Sequence, residues 1–181
     1  MEGEKWEAKE VVDKTNGIDN TQTETWKKET RNGISVSYTN VDGLLSKRLE
    51  CVDYLRSVKP DIMCIVETKL RPNMEMNWFE EGQYRLWRAD RVKKGGGGIM
   101  VMIRKELSVR EVNFGTDGEE VISVVVSAGN KDINMVVVYV PPRTKAWNGE
   151  QYNTMLRSTI ERLKNEATKK ERMVMVAKWN L

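Results

Sequence analysis

Residues Ile62-Met63-Cys64-Ile65-Val66 form an uninterrupted apolar run bounded by Asp61 and Glu67, and no other stretch restricts the chain so strongly. A sheet strand with one wet face alternates apolar and polar side chains, whereas a run that is apolar throughout belongs to a strand covered on both faces. The fold must therefore place protein on both sides of this segment. Upstream, Ile34 to Tyr38 alternates at a two-residue period and reads as a second strand. Thr39 to Gly43 has the composition of a turn. Ser46 is then placed to cap a helix running to about Val58, with Leu49, Val52, Leu55 and Val58 along one face, and Lys59-Pro60 ends it. Residues 34–66 are thus predicted to form a β-α-β unit with a parallel, right-handed crossover.

Further strands are predicted at 84–88, 98–103, 109–114, 120–127 and 132–140, separated by Gly, Asn and Asp signals and read as a meander of antiparallel hairpins. Asn148 followed by Gln151 has the form of a capping box, and Tyr152, Met155, Leu156, Ile160 and Leu163 line one face of a helix to about Thr168. Met173-Val174-Met175-Val176 reads as a closing, buried strand. Residues 33–181 are accordingly expected to hold the domain. Residues 1–32 are charged and Thr-rich, with Trp6, Val11, Val12, Ile18 and Trp26 as their only large apolar members. Such a segment cannot bury enough to fold alone; it reads as a disordered polar leader, or as an arm that docks its tryptophans on a partner.

A chain of 181 residues suffices for one domain with a sizeable core. The formal charge of +3 is uneven, because eight acids and six bases fall within residues 1–32 and leave the body at +5. That excess permits a polyanionic partner but is not the dense basic patch that would demand one. Histidine is absent, and Cys51 and Cys64 lack zinc-site spacing, which excludes His-ligated metals and His-based acid–base catalysis. Both cysteines read as small core residues in a reducing compartment. The N-terminus shows no apolar signal segment, and the longest apolar run, Met135 to Val140, is far too short to cross a bilayer. The expectation is a soluble intracellular protein, nuclear or cytoplasmic.

Polar side chains at strand ends are where a rigid scaffold can hold chemistry. Asn40 and Asp42 follow the first strand, Glu67 ends the second, and Tyr139 lies near the end of a long later one. Oxygen donors so placed suit Mg²⁺, which needs only one or two protein carboxylates beside a phosphate, although strand-end acids are also common as plain solvated groups. Lys93-Lys94-Gly95-Gly96-Gly97-Gly98 has the wrong order for a phosphate-cradling P-loop and reads as a hairpin loop. Arg85, Arg88, Arg91, Lys93 and Lys94 nevertheless alternate with Tyr84 and Trp87, a mixture suited to nucleic acid.

Taken in order, Asn40-Val41-Asp42-Gly43-Leu44, Lys59-Pro60-Asp61-Ile62-Met63-Cys64-Ile65-Val66-Glu67-Thr68-Lys69 and Tyr139-Val140-Pro141-Pro142 resemble the endonuclease/exonuclease/phosphatase superfamily. The Trp87-Arg88-Ala89-Asp90-Arg91 segment and the glycine run before Ile99-Met100-Val101 look most like the apurinic-type endonuclease domain of LINE-like non-LTR retrotransposons. The resemblance spans 33–181, roughly the first two-thirds of such a domain, and implies C-terminal truncation. It implies an α/β (α+β) fold, a partial four-layer sandwich of two mixed, mostly antiparallel sheets flanked by helices. It also implies Mg²⁺-dependent cleavage of phosphodiesters, with Glu67, Asp42 and Asn40 at the metal and Tyr139, Asn180 and Asn40 as catalytic residues at the phosphate.

The same resemblance exposes a departure. Where the superfamily has Gly-Asp-Phe-Asn, this chain reads Ala177-Lys178-Trp179-Asn180, and the closing Ser-Asp-His motif is missing. A lysine ammonium cannot accept the proton that the aspartate would take, and it repels a metal. The expected protein is a retroelement-derived DNA endonuclease-type domain, catalytically impaired. The alternatives are a non-enzymatic DNA- or RNA-binding remnant using Arg88, Arg91, Lys93 and Lys94, or a fragmentary gene product without selected function. Missing strands would leave sheet edges open to self-association.

Overall fold

Ile62–Val66 is buried at every position, each residue at 2% exposure or less. The structure, a computed structural model, describes residues 33–76, 82–91, 96–116, 118–128, 131–145, 147–169 and 172–180. The elements run β1 (Val36–Asn40), α1 (Leu44–Val58), β2 (Ile62–Val66), β3 (Tyr84–Ala89), β4 (Ile99–Arg104), β5 (Ser108–Phe114), β6 (Glu120–Ala128), β7 (Lys131–Val140), α2 (Gly149–Ala167) and β8 (Arg172–Trp179). They form two four-stranded sheets, ordered β1-β2-β4-β3 and β5-β6-β7-β8. Because a strand sends alternate side chains to opposite faces, Met63 and Ile65 pack with Leu44, Val52 and Leu55 of α1. Ile62, Cys64 and Val66 pack instead against Ile122, Val124, Met135, Val137 and Tyr139 of the second sheet. Behind that sheet, Val136, Val138 and Val140 meet Leu156 and Leu163 of α2. The result is the expected four-layer sandwich, helix on sheet on sheet on helix.

Pairing follows the β-α-β expectation, since β1 and β2 are parallel in register from Val36↔Ile62 to Asn40↔Val66. The meander is real only for β5, β6 and β7; β3 and β4 form a hairpin in the first sheet, with β4 antiparallel to β2. The chain changes sheets between β4 and β5, a step that turn signals alone do not distinguish from another hairpin. Strand β8 pairs in parallel with β7. It is an edge rather than the buried strand predicted, and Val174, Met175 and Trp179 are all exposed.

Both helices differ in detail from their sequence patterns. Helix α1 starts behind Gly43, at φ 117°, without a side-chain cap, and Ser46 Oγ donates to the Gly43 carbonyl at 2.9 Å. Its buried face is Leu44, Cys51, Val52 and Leu55, while Leu49 and Val58 are exposed. The three-residue spacing of leucines and valines drifts round a 3.6-residue helix, so the true stripe follows i, i+3, i+4. Asn148 does cap α2, accepting from the Glu150 amide at 2.9 Å. Buried carboxylates on either side of this interface anchor α2 to its sheet. Glu119 accepts from Arg162 Nε at 2.7 Å and from Ser158, and Glu166 accepts from Asn134 Nδ2 at 2.7 Å and from Ser123 Oγ. Lys169 adds an ion pair to Glu166 at 2.8 Å. No helix among the described residues is long and apolar enough to cross a membrane.

Cys51 and Cys64 are both free and buried. Burial pushes the Cys64 thiol up to about 12 from 9.0; burial and then Glu50 raise that of Cys51. A raised native pKa contributes stability below the ordinary thiol value and loses it as pH rises toward the native value. The expected outcome is that neither thiol reacts with DTNB at pH 8 in the native protein, that both react in urea, and that stability declines above pH 9.

Candidate functional site

The C-terminal ends of β1 and β2 and the entry to β4 converge at one corner of the first sheet. Backbone hydrogen bonds join them: Val41 N to Val66 O (3.2 Å), Gly43 N to Glu67 O (2.8 Å), Leu44 N to Thr68 O (2.9 Å), Thr68 N to Gly98 O (3.3 Å) and Lys69 N to Gly97 O (2.8 Å). Closing so many bonds over short loops forces unusual dihedrals. Asp42, Glu67 and Lys69 take φ of 46°, 56° and 52°, a region that costs a non-glycine residue of the order of 1–2 kcal/mol. Strain gathered at three neighbouring polar residues marks a place where side-chain direction matters more than backbone comfort.

Those side chains interlock. Asn40 Nδ2 donates to Glu67 Oε1 at 2.8 Å, and Asn40 Oδ1 accepts from the Asp42 amide at 3.1 Å. Lys69 Nζ sits 2.5 Å from Asp42 Oδ1. Hydrogen bonding and charge from Lys69 hold the exposed Asp42 carboxyl below its usual range, and Asp42 correspondingly raises Lys69. Across the cleft on the second sheet lies Tyr139, only 4% exposed. Burial pushes its phenol well up, and the charge and hydrogen bonding of Glu67 push it further, so it stays a neutral donor. Asn40, Asp42, Glu67 and Tyr139 are therefore brought to one site.

The second wall was less legible. Glu120 and Lys178 are the register partners of Tyr139 on β6 and β8. Alternation puts all three on the face that also carries Ile122, Val137 and Val176. Glu120 is buried, accepting from Arg91 Nε at 2.6 Å and from the Gly98 amide at 2.5 Å. Burial raises its pKa most, and Glu67 adds to this against the pull of Arg91 and Gly98. The Arg91 guanidinium stands 5.8 Å from the Tyr139 ring centre and 5.9 Å from that of Trp147. Of this wall the sequence offered Tyr139, Lys178 and the basic character of Arg91; a long-range ladder places Glu120, and no local motif announces it. Lys69 was visible as part of the Glu-Thr-Lys string but not as the partner of Asp42.

Other expected residues have different surroundings. Asn180 directs both its amide N–H (3.2 Å) and its Nδ2 (3.0 Å) to the Val140 carbonyl. Arg88 Nη2 donates to the carbonyls of Met74 (2.8 Å) and Pro72 (3.2 Å), and its Nε pairs with Asp90 at 3.1 Å, so this arginine clamps the loop after β2. Lys93 and Lys94 lie outside the described residues. The glycine run has a close-packing role at its end: Gly97 and Gly98 take φ of 68° and 89°. A Cβ on Gly97 would come within 2.5 Å of Arg91 and Glu120, and one on Gly98 within 2.4 Å of Thr68 Oγ1.

Among the described residues no group of three or more His, Cys, Asp or Glu side chains is arranged to hold a metal. The donors at the first wall are nonetheless oxygens of one amide and two carboxylates, a set that fits a hard cation such as Mg²⁺ with water and phosphate completing its shell. Lys69 competes for Asp42, and the second wall carries Lys178 beside the buried Glu120. A Gly98→Ala substitution is expected to cost at least about 1–2 kcal/mol, through its positive φ and its clash with Thr68, and to lower the thermal midpoint measured by circular dichroism. Gly82→Ala, which meets open space, serves as the comparison.

The fold agrees with what the chain is similar to. Residues 38–176 match the family model described as the Endonuclease/Exonuclease/phosphatase family. A zebrafish (Danio rerio) protein named DNA repair nuclease APEX1 is 25% identical over 112 residues, 60% of this chain and 36% of the relative. Among solved structures, the Neisseria 3′ phosphatase NExo bound to a product DNA hairpin superposes with a TM-score of 0.67 at 17% identity, covering 82% of this chain and 58% of that one. An AP endonuclease from Archaeoglobus fulgidus gives 0.60 at 22% identity, over 80% of this chain and 56% of its own. Zebrafish TDP2 complexed with a single-strand DNA product gives 0.61 at 17%, over 82% and 61%. The chain thus spans little more than a third of the curated relative and under two-thirds of these structures. With the matched segment running from β1 into β8 and holding Asn40, Asp42, Glu67 and Tyr139, the chain belongs to the Endonuclease/Exonuclease/phosphatase family.

Proposed function

We propose that the cleft binds a phosphodiester of nucleic acid beside a divalent cation, and that this chain by itself does not cleave it. The observation that carries the reading is the Glu67 constellation: a strand-end carboxylate held by Asn40, facing a neutral tyrosine and built on strained backbone. Mg²⁺, when bound, would polarise the phosphate and stabilise the leaving oxygen. Glu67, Asp42 and Asn40 would hold it, with Asn40 fixing the Glu67 carboxylate and Lys69 moderating the charge of Asp42. Tyr139, kept protonated by burial and by Glu67, would turn its single O–H from Glu67 toward a nonbridging oxygen. Among the described residues, the second-wall position where the resemblance expects an aspartate base does not carry one. Lys178 occupies the second-wall position next to Tyr139, and an ammonium has no lone pair with which to take a proton from water.

The Trp87–Arg91 segment, the glycine run before β4 and Tyr139–Pro142 favour descent from the endonuclease domain of a LINE-like retroelement. Exposed Val174, Met175 and Trp179 on the edge strand β8 support association between copies through that edge. Incubation of supercoiled plasmid with the purified chain and Mg²⁺ is expected to give no nicking above that of Glu67→Ala. Nicking that Glu67→Ala abolishes would overturn the impaired-enzyme reading.

A further inference from the structure

The ionised groups around the cleft pair off unevenly. Asp42 is matched by Lys69, and Glu120 by Arg91. Glu67 and Lys178 are left, and neither is in an ion pair among the described residues. Glu67 ends β2 in the first sheet, whereas Lys178 belongs to β8 in the second and shares the cleft face with Tyr139. The cleft is therefore dipolar, with one acidic wall and one basic wall. Lys178 is half-buried as a residue, and a lysine without a carboxylate partner gains by pairing with an anion.

Resting on the reading that the cleft handles nucleic-acid phosphodiesters, we propose that Lys178 is a phosphate-binding residue that lets the cleft hold a nucleic-acid strand without a divalent cation. The phosphate lies on the second wall, against the ammonium and beside the stacked Tyr139 and Arg91. Arg91, neutralised by Glu120, lies near the Tyr139 and Trp147 rings and orders that part of the wall. Nothing is transferred in this step; it is binding alone. Substitution of Lys178 by a carboxylate would make both walls acidic and the same phosphate would then need a cation between them.

The test is fluorescence anisotropy of a labelled oligothymidylate with the full chain in EDTA. Binding is expected without metal, and Lys178→Met should weaken it about tenfold (about 1.4 kcal/mol). The same change should shrink the slope of log affinity against log salt by about 0.7, the value for one phosphate contact on a single strand. Lys178→Arg should retain the affinity, which separates charge from any effect of the methionine on folding. Lys105→Met, an exposed cation after β4, should leave affinity within twofold. Lys178→Asp should abolish binding in EDTA and make it depend on added Mg²⁺. Binding seen only with Mg²⁺, or an equal loss in Lys178→Met and Lys105→Met, would overturn the proposal. Those outcomes are independent of nicking: a chain that cuts plasmid but binds in EDTA through Lys178 refutes the impaired-enzyme reading alone.

Discussion

The site depends on the backbone hydrogen bonds that tie Val41–Leu44 to Val66–Thr68 and then to Gly97–Gly98. Each loop is too short to hold a conformation by its own packing, yet together they fix where β1, β2 and β4 end. The left-handed dihedrals of Asp42, Glu67 and Lys69 follow from that closure and aim their side chains at one another. The large buried clusters on both faces of β2 are what make such strain tolerable, because opening the corner would also expose Val66 and Ile65.

Much of this was legible in the sequence, for identifiable reasons. The fully apolar run of Ile62–Val66 reads as a doubly covered strand, which implies the layers around it, whereas the similar run at 173–176 lies on an exposed edge. Asn40, Asp42 and Glu67 were legible as strand-end polar residues within a few positions of such runs. Tyr139 followed from the end of a long valine-rich strand. What the sequence could not display was pairing across sheets: β3–β4 and β5–β6–β7 have the same local signals but belong to different sheets, and Glu120 meets Arg91 and Gly98 only because of that division. Apolar spacing likewise misplaced part of the α1 face, since every third residue is not the same stripe as i, i+3, i+4.

Arg88 and Arg91 illustrate why basic residues near aromatics are ambiguous before folding. One is spent on carbonyls of the loop after β2, and the other is stacked between Tyr139 and Trp147 and held by a buried acid. Lys178 is the reverse case: a single residue on an edge strand, unremarkable in charge counts, that the ladder sets beside Tyr139 on the face toward the first sheet. Position in the ladder, rather than abundance of charge, decides which cation can meet a ligand.

The carboxylate anchors under α2 give the molecule a weak side that has nothing to do with the cleft. Burial raises both Glu119 and Glu166, but Ser158, Arg162 and Thr116 for the first, and Lys169, Asn134 and Ser123 for the second, more than reverse it, leaving both below 4.5. Their contribution is intact above that value and fades as acid protonates them. Acidification below that value therefore weakens the ties of the outer helix to the valine face of Val121, Val136, Val138 and Val140. A chain whose α2 anchors are protonated exposes an adhesive apolar face on the side farthest from the first wall, which gives low-pH precipitation a starting surface.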